Sequence, residues 1–471
     1  MSRVRYKAVS LFSGAGGLDL GFVLSGRYDI LLANDILPHA VETYSCNFKV
    51  KKAVKQYRSS DLPAVVLGDV AELDFSPLED YEVDVVIGGP PCQDFSIVRG
   101  PSTERRGIEV RRGRLYAHFV RALISLRPKA FVFENVPGLK SANKGLAYKV
   151  ILEDFRKLAL RWNEVRRVIG GNSVRLNALG YEIIFSDIID MSKLGVPQAR
   201  HRLIIVGIRR DLVENLIKSF DLYRVQELFK CSLKASDIVS KYPLTPLEVF
   251  EGKPLPELQD RYAEVMKEYE GVWNKVKTLR AIKWRDEVWK RLTFDVVKDY
   301  LKANGILSWS DKELEEAFKE HERLLMEMGY YGVRVSDLKL PDDSNSIPKE
   351  AQSVVERMKR IPPDENHEFV RGTPWEVEGR GISLIYRRLH PLKPAYTIVA
   401  YGGGGTWGYH YERSRSMLTN RERARLQTFP DSFLFKGTWS QVRAQIGEAV
   451  PPHAAKRMAQ VLAMVLDELI D

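Results

Sequence analysis

Short, continuous apolar runs recur along the amino-terminal part of the chain with helix-length segments between them, and this arrangement restricts the possible folds more than any other feature. The runs are AVSLF (8–12), DILLAN (29–34), AVVLGD (64–69), VDVVIGG (83–89) and KAFVFEN (129–135). A strand with one wet face alternates apolar and polar residues, whereas runs without alternation suit parallel strands covered on both faces by helices. Between the last two runs, YAHFVRALISLRP places Phe119, Val120, Leu123 and Ile124 on one helical stripe, ended by Pro128. The order reads β-α-β-α, so a doubly wound α/β sheet is expected. Two further runs, YEIIFSDII (181–189) and RLIIVGIRR (202–210), are joined by a short loop with Gly195 and Pro197, which suits an antiparallel edge.

After about residue 211 the texture changes. Residues 255–330 are charge-rich and helical in pattern, with a capping box at Ser310 and Glu313. From about 380, the glycine-rich TIVAYGGGGTWGYH leads into two expected final helices, one capped by Thr419 and Glu422 and one opened by proline in PPHAAKRMAQVLAMVLDELI. The three cysteines, Cys46, Cys92 and Cys231, form no CxxC pair and stand near no histidine cluster, so neither a disulfide framework nor a metal site is expected. No apolar stretch approaches the roughly 18 residues of a membrane span, and an intracellular, cytoplasmic protein is expected. A formal charge of +10 suits a polyanionic partner, although the same balance occurs in proteins that bind none.

In open α/β sheets ligands bind beyond the carboxyl ends of the strands, so the residues after each run carry the chemistry. The first run leads into FSGAGGLDLGF, where Gly14, Gly16 and Gly17 suit either a tight structural turn or close approach of a ligand. The second ends at Asn34 and Asp35, about 20 residues on, where an acid accepts hydrogen bonds from ribose hydroxyls. The third ends at Asp69, placed to accept from an adenine amino group. There is no GKS/T and the glycine order is not G-x-G-x-x-G, so a phosphate cradle is absent and S-adenosylmethionine, an adenosine without phosphates, fits. GGPPCQDFS (88–96) then puts Cys92 in a proline-stiffened loop. Glu134 emerges from KAFVF at the same rim, where desolvation favours the protonated form of an acid. In QARHRL, Arg200 and Arg202 are two apart at a strand start and so share a face, with His201 opposite.

With these residues assembled, the chain resembles the DNA (cytosine-5) methyltransferases. The matching pieces are FSGAGGLDLGF, GGPPCQDFS, ENV, GVPQARHRLIIVGIR, LTNRERARLQTFPDSF and QIGEAVPPHAAKRMAQVL, in the family's usual order. The resemblance implies a Rossmann-like, mixed sheet of the class I methyltransferase type in a catalytic domain (1–210), with a separate, largely helical target-recognition domain (211–384). A return segment (385–471) would complete the catalytic domain.

It further implies S-adenosylmethionine as cofactor, S-adenosylhomocysteine as product and no metal. Cys92 would be the nucleophile at carbon 6 of cytosine, Glu134 the group at ring nitrogen 3, and Arg200 and Arg202 the groups orienting the base. Phe12, Ser13, Gly14, Gly16, Gly17, Asp35, Ile36, Asp69, Val70, Pro90, Leu115, Glu448 and Ala449 would line the cofactor pocket. Glu448 departs from the family, which more often has asparagine there. Gln93, Ser96, Arg99, Arg105, Arg106, Arg111 and Arg112 would face duplex DNA, from which the target base must be flipped.

The expected protein is a monomeric enzyme at the nucleoid, with a cognate restriction endonuclease acting on the same site as a candidate partner; a tRNA substrate and a catalytically silent DNA-binding regulator are the alternatives. Trp273, Trp284 and Trp289, set among basic residues, suit core aromatics with basic neighbours better than direct DNA contact.

Overall fold

The computed structural model describes residues 4–91, 114–158, 180–219, 222–233, 237–377, 385–401, 405–406 and 408–470. Their contacts separate into two units: Met1–Asp190, His201–Lys234 and Ala449–Asp471 form the first, and Met191–Arg200 with Ala235–Glu448 the second.

The first unit is built on an eight-stranded sheet. Its strands are β1 (Tyr6–Leu11), β2 (Tyr28–Asp35), β3 (Lys51–Val54), β4 (Ala64–Leu67), β5 (Val85–Gly88), β6 (Ala130–Asn135), β7 (Tyr181–Asp190) and β9 (His201–Arg209), ordered β3-β4-β2-β1-β5-β6-β9-β7. All neighbours from β3 to β6 are parallel, and β9 runs antiparallel to both β6 and β7. The expected antiparallel edge is therefore present. The chain starts in β1, builds outward to one side and then returns to β5 on the other, which makes the β1/β5 boundary the topological switch point where ligands bind. The apolar runs become strands because helices cover both faces: every residue of β5 and the stretch Leu203–Ile208 of β9 is buried. Edge strand β3, with sequence KKAV, was not foreseen because its exposed, lysine-rich pattern resembles a loop.

Helix α1 (Gly17–Leu24) follows β1, α2 (Pro38–Phe48) follows β2, and α3 (Arg114–Leu126) leads into β6. Phe119 of α3, Phe131, Phe133 and Phe155 form an aromatic core in which the Phe131 and Phe155 rings lie 4.5 Å apart. The last helix, Pro452–Ile470, opens on a proline as expected and packs on α1. Tyr28 donates to the Ala459 carbonyl at 3.1 Å, and Arg27 pairs with Asp467 at 2.6 Å.

In the second unit, regular strand is confined, among the described residues, to the two-residue pair β8 (Gln198–Ala199) and β10 (Ala395–Tyr396). Helices including Pro246–Glu251, Gln259–Lys267, Leu279–Glu287 and Asp311–Glu327 surround its core. The expected capping boxes at Ser310/Glu313 and Thr419/Glu422 form, together with one at Thr245/Glu248.

Two expectations are corrected here. Three helices rather than two end the chain, because Trp439–Glu448 forms a separate helix. Segment 385–448, expected to complete the catalytic domain, instead packs within the second unit: β10 pairs with β8, and Arg425 donates to the carbonyls of Val249 (2.7 Å) and Val333 (2.9 Å). Trp284 is buried in the core, and the half-buried Trp273 and Trp289 pack against it, their rings 6.3 Å and 6.0 Å from that of Trp284. Their basic neighbours are largely matched with acids, as in Arg280 with Glu365, Lys283 with Glu287 and Lys290 with Asp286.

Candidate functional site

Parallel register brings the strand ends into line: Leu11 lies opposite Asn34 and Gly88, Asn34 opposite Val66, and Gly88 opposite Phe133. The segments that follow share one rim of the first unit. Backbone hydrogen bonds tie this rim together. Ser13 N–H donates to the Asn34 carbonyl (3.0 Å), and Gly68 N–H donates to the Asp35 carbonyl (3.1 Å). The buried amide of Asn34 donates to the carbonyls of Val66 and Gly68, each at 3.0 Å.

The glycine loop after β1 is backbone-driven. Gly14 and Gly16 adopt positive φ (55° and 89°), and Gly16 caps α1 in the left-handed conformation. Phe12 also takes positive φ, 57°, a costly geometry for a bulky side chain that clusters at functional sites. Asp35 accepts from Gly14 N–H (2.8 Å) through one carboxylate oxygen and from Leu37 N–H (2.9 Å) through the other. Burial pushes its carboxyl above the ordinary value, opposed by those backbone N–H groups.

The donor set suits a phosphate-free adenosine. The Asp35 carboxylate has more lone pairs than these backbone N–H groups use, and can still accept from a hydroxyl donor. Ile36 beside it is 61% exposed, an apolar face beside a polar anchor. Asp69 is exposed and caps Ala71 N–H (2.9 Å), while Val70 is buried. Arg121 of α3 holds this turn by donating to the carbonyls of Val70 (2.7 Å) and Leu73 (3.0 Å). Phe12–Gly17, Asp35–Ile36 and Asp69–Val70 contain no cation to meet a phosphate.

Beyond the switch point, Pro90 is buried and its carbonyl accepts from the Asn135 amide at 2.9 Å. Leu115 packs half-buried against the core. Glu134 and Arg202 meet in an ion pair, Arg202 Nε to Glu134 Oε1 at 2.9 Å, with only 14% of the Arg202 and 12% of the Glu134 side chain exposed. Antiparallel pairing creates this meeting, since Glu134 lies opposite Ile204 on β9.

Arg200, expected to act beside Arg202, has different surroundings. It belongs to the second unit, is fully buried, and donates to the carbonyls of Ile398 (3.3 Å), Gly447 (3.0 Å) and Glu448 (3.4 Å). Glu448, whose side chain is exposed, contributes its carbonyl, and Ala449 starts the last segment of the first unit. His201 is exposed and 3.8 Å from Asp190.

Cys92, Gln93, Ser96, Arg99, Arg105, Arg106, Arg111 and Arg112 lie outside the described residues. No cluster of potential metal ligands occurs among the described residues, and no described helix is long and apolar enough to cross a membrane. Sequence reasoning passed over Asn34, Arg121 and Asn135 as positioning groups. Their signal was slight: an amide at a strand end and an arginine within a largely apolar helix.

The whole chain can be compared with known proteins. A DNA (cytosine-5-)-methyltransferase of Aeropyrum pernix, M.ApeKI, is 61% identical, covering 98% of this chain and 99% of its own length. The type II methyltransferase M.BbvI of Brevibacillus brevis is 30% identical, covering 96% of this chain and 89% of its own. A solved structure described as a DNA modification methyltransferase encoded within an E. coli prophage shares the fold, with a TM-score of 0.50 at 20% identity over 98% of this chain and 99% of that one. The family of C-5 cytosine-specific DNA methylases matches residues 6–165 and 166–463. With the rim of glycine loop, strand-end acids and Glu134–Arg202 pair on the sheet that the fold requires, the chain belongs to the C-5 cytosine-specific DNA methylase family.

Proposed function

We propose that the protein methylates carbon 5 of a flipped-out cytosine in a specific duplex DNA sequence, using S-adenosylmethionine and a covalent adduct through Cys92. The observation that carries this reading is the Glu134–Arg202 pair, held at the strand end facing the segment that runs into Cys92.

Carbon 5 of cytosine is a weak nucleophile. Addition of the Cys92 thiolate to carbon 6 converts the ring to an enamine nucleophilic at carbon 5. Glu134 faces ring nitrogen 3, where a held or donated proton makes carbon 6 electrophilic, a contribution on the order of 10² to 10⁴ in rate. Arg202 anchors that carboxylate and presents its remaining N–H groups to the base carbonyl. Loss of the carbon 5 proton then permits elimination of Cys92. The cofactor supplies the electrophilic methyl group when bound, and Phe12 to Gly17, Asp35, Ile36, Asp69, Val70, Pro90 and Leu115 would hold it. Arg99, Arg105, Arg106, Arg111 and Arg112, with Gln93 and Ser96, would meet the DNA. Recognition of the target sequence falls to the second unit. The type II methyltransferase name of M.BbvI supports a restriction-modification role, in which the partner would be a restriction endonuclease of the same specificity; a DNA substrate would place the enzyme at the nucleoid.

Incubation with S-adenosylmethionine and duplex DNA containing 5-fluorocytosine tests the mechanism, since fluorine cannot leave as a proton does. A covalent complex is expected for the native chain, and none for Cys92→Ala, which should retain cofactor binding. Substantial methylation by Cys92→Ala would overturn the nucleophile assignment, and transfer to total tRNA in preference to duplex DNA would overturn the substrate.

A further inference from the structure

The two glycines that precede the proline pair lie side by side in sequence and face different neighbours. A β-carbon on Gly88 would stand 2.6 Å from the Leu11 carbonyl oxygen, a backbone atom of the neighbouring strand, so the absent side chain there serves strand packing. A β-carbon on Gly89 would stand 2.6 Å from Glu134 Oε2, at the far end of a side chain, with the Glu134 carbonyl oxygen at 3.4 Å. The carboxylate whose Oε1 is paired with Arg202 at 2.9 Å thus rests with its other oxygen over the bare α-carbon of Gly89.

We infer that Gly89 is a positioning residue for the methyl-transfer reaction: its missing side chain is the seat on which the Glu134 carboxylate is held against Arg202 and toward the base. The inference rests on the reading of Glu134 as the group facing cytosine.

What yields when the seat is filled follows from the restraints on either side. Gly88 is locked by register to Leu11 on β1 and Phe133 on β6. The Pro90 carbonyl is tied to the Asn135 amide at 2.9 Å. The main chain at Gly89 therefore has little room to retreat, whereas the torsions of Glu134 turn at small cost. A methyl group at this position displaces the carboxylate and leaves the fold intact. Misplacement of a reacting group by about 1 Å slows catalysis by roughly 10²-fold.

The experiment is a double-mutant cycle on the full chain, with Gly89→Ala, Glu134→Asp and the pair, read as single-turnover methylation of duplex DNA at saturating S-adenosylmethionine. Aspartate is one methylene shorter and withdraws its carboxylate from the seat. Gly89→Ala alone should slow transfer roughly 10²-fold, with the KM for S-adenosylmethionine unchanged. In the Glu134→Asp background the same change should alter the rate by less than about threefold, the non-additivity of groups in contact. Equal slowing in both backgrounds, or no slowing in either, overturns the inference. Should the native chain fail to methylate duplex DNA, the functional reading falls. A crystal structure of Gly89→Ala then tests the seat alone: Glu134 should leave Arg202, and an unmoved carboxylate overturns the inference.

Discussion

The two units bury polarity in opposite ways. In the first, eight strands satisfy one another's backbone groups, and the core between sheet and helices is apolar and aromatic. In the second, described strand amounts to two residue pairs, while Arg200, Arg388, Arg421, Arg423 and Arg425 are essentially without exposure. Their guanidinium groups go mainly to main-chain carbonyls. Arg388 alone donates to the carbonyls of Ile361 (2.7 Å), Arg415 (3.1 Å), Met358, His410 and Glu412. Irregular backbone enclosed in a core leaves carbonyls without partners, each costly when unpaired, and a planar fork of five N–H donors answers several of them at once. A sheet answers the same demand from within its own backbone. What distinguishes the units is therefore the source of hydrogen-bond donors, as much as the share of apolar residues.

The largest effects should come from attacking each device in its own unit. Phe155, fully buried, touches Phe119, Phe131, Phe133 and Tyr116. Phe155→Ala is expected to cost about 4 kcal/mol in chemical denaturation. Arg388→Met keeps the apolar stem but strands several buried carbonyls, and a loss of about 3 kcal/mol is expected. A cost below about 1 kcal/mol for Arg388→Met would break the comparison, because the carbonyls would then have found other donors.

An effect no larger than the last separates the units by pH. In the first unit Asp19 is fully buried, accepts from Tyr44 Oη at 2.8 Å, and is pushed up to about 6, chiefly by desolvation. The folded chain holds this proton at pH values where the unfolded chain, near 3.8, has released it, so stability from Asp19 is lost as pH rises from about 4 to about 6. Asp19→Asn should flatten that limb, by up to roughly 3 kcal/mol. In the second unit His410 is buried, accepts from Glu412 N–H at 3.1 Å through Nδ1, and is held well below 6.5 by desolvation and nearby arginines. Below the ordinary histidine value the unfolded chain binds the proton that the folded one refuses, so stability falls as pH drops. His410→Asn, which preserves an acceptor near Nδ1, should weaken that dependence. Denaturation profiles between pH 4 and 7 with limbs of the same sign for the two variants would contradict the contrast.

Much of the site was legible because its residues follow directly on apolar runs. Asp35, Asp69 and Glu134 fall on one rim because parallel strands in register end together, and an end position can be counted along the sequence. Arg200 shows the limit of such counting. Two residues from Arg202 on a strand, it was expected to share its face and task, yet the chain passes from one unit to the other at 200/201. One arginine consequently meets Glu134 and the other the carbonyls of Ile398, Gly447 and Glu448. Periodicity reports direction along one element and carries no information about which distant backbone waits there.

By itself the sequence determined the doubly wound sheet, the antiparallel edge, the rim of acids and the family, since each depends on local patterning or on ordered motifs. Only the tertiary structure decided that Arg202 pairs with Glu134, that Arg200 serves buried carbonyls, that segment 385–448 packs within the second unit, and that Gly88 and Gly89 face different neighbours. The physical reason is the same in each case. A hydrogen bond or a close approach depends on the partner that packing delivers, and in the GGPPC stretch two identical residues acquire different roles from what lies across from each.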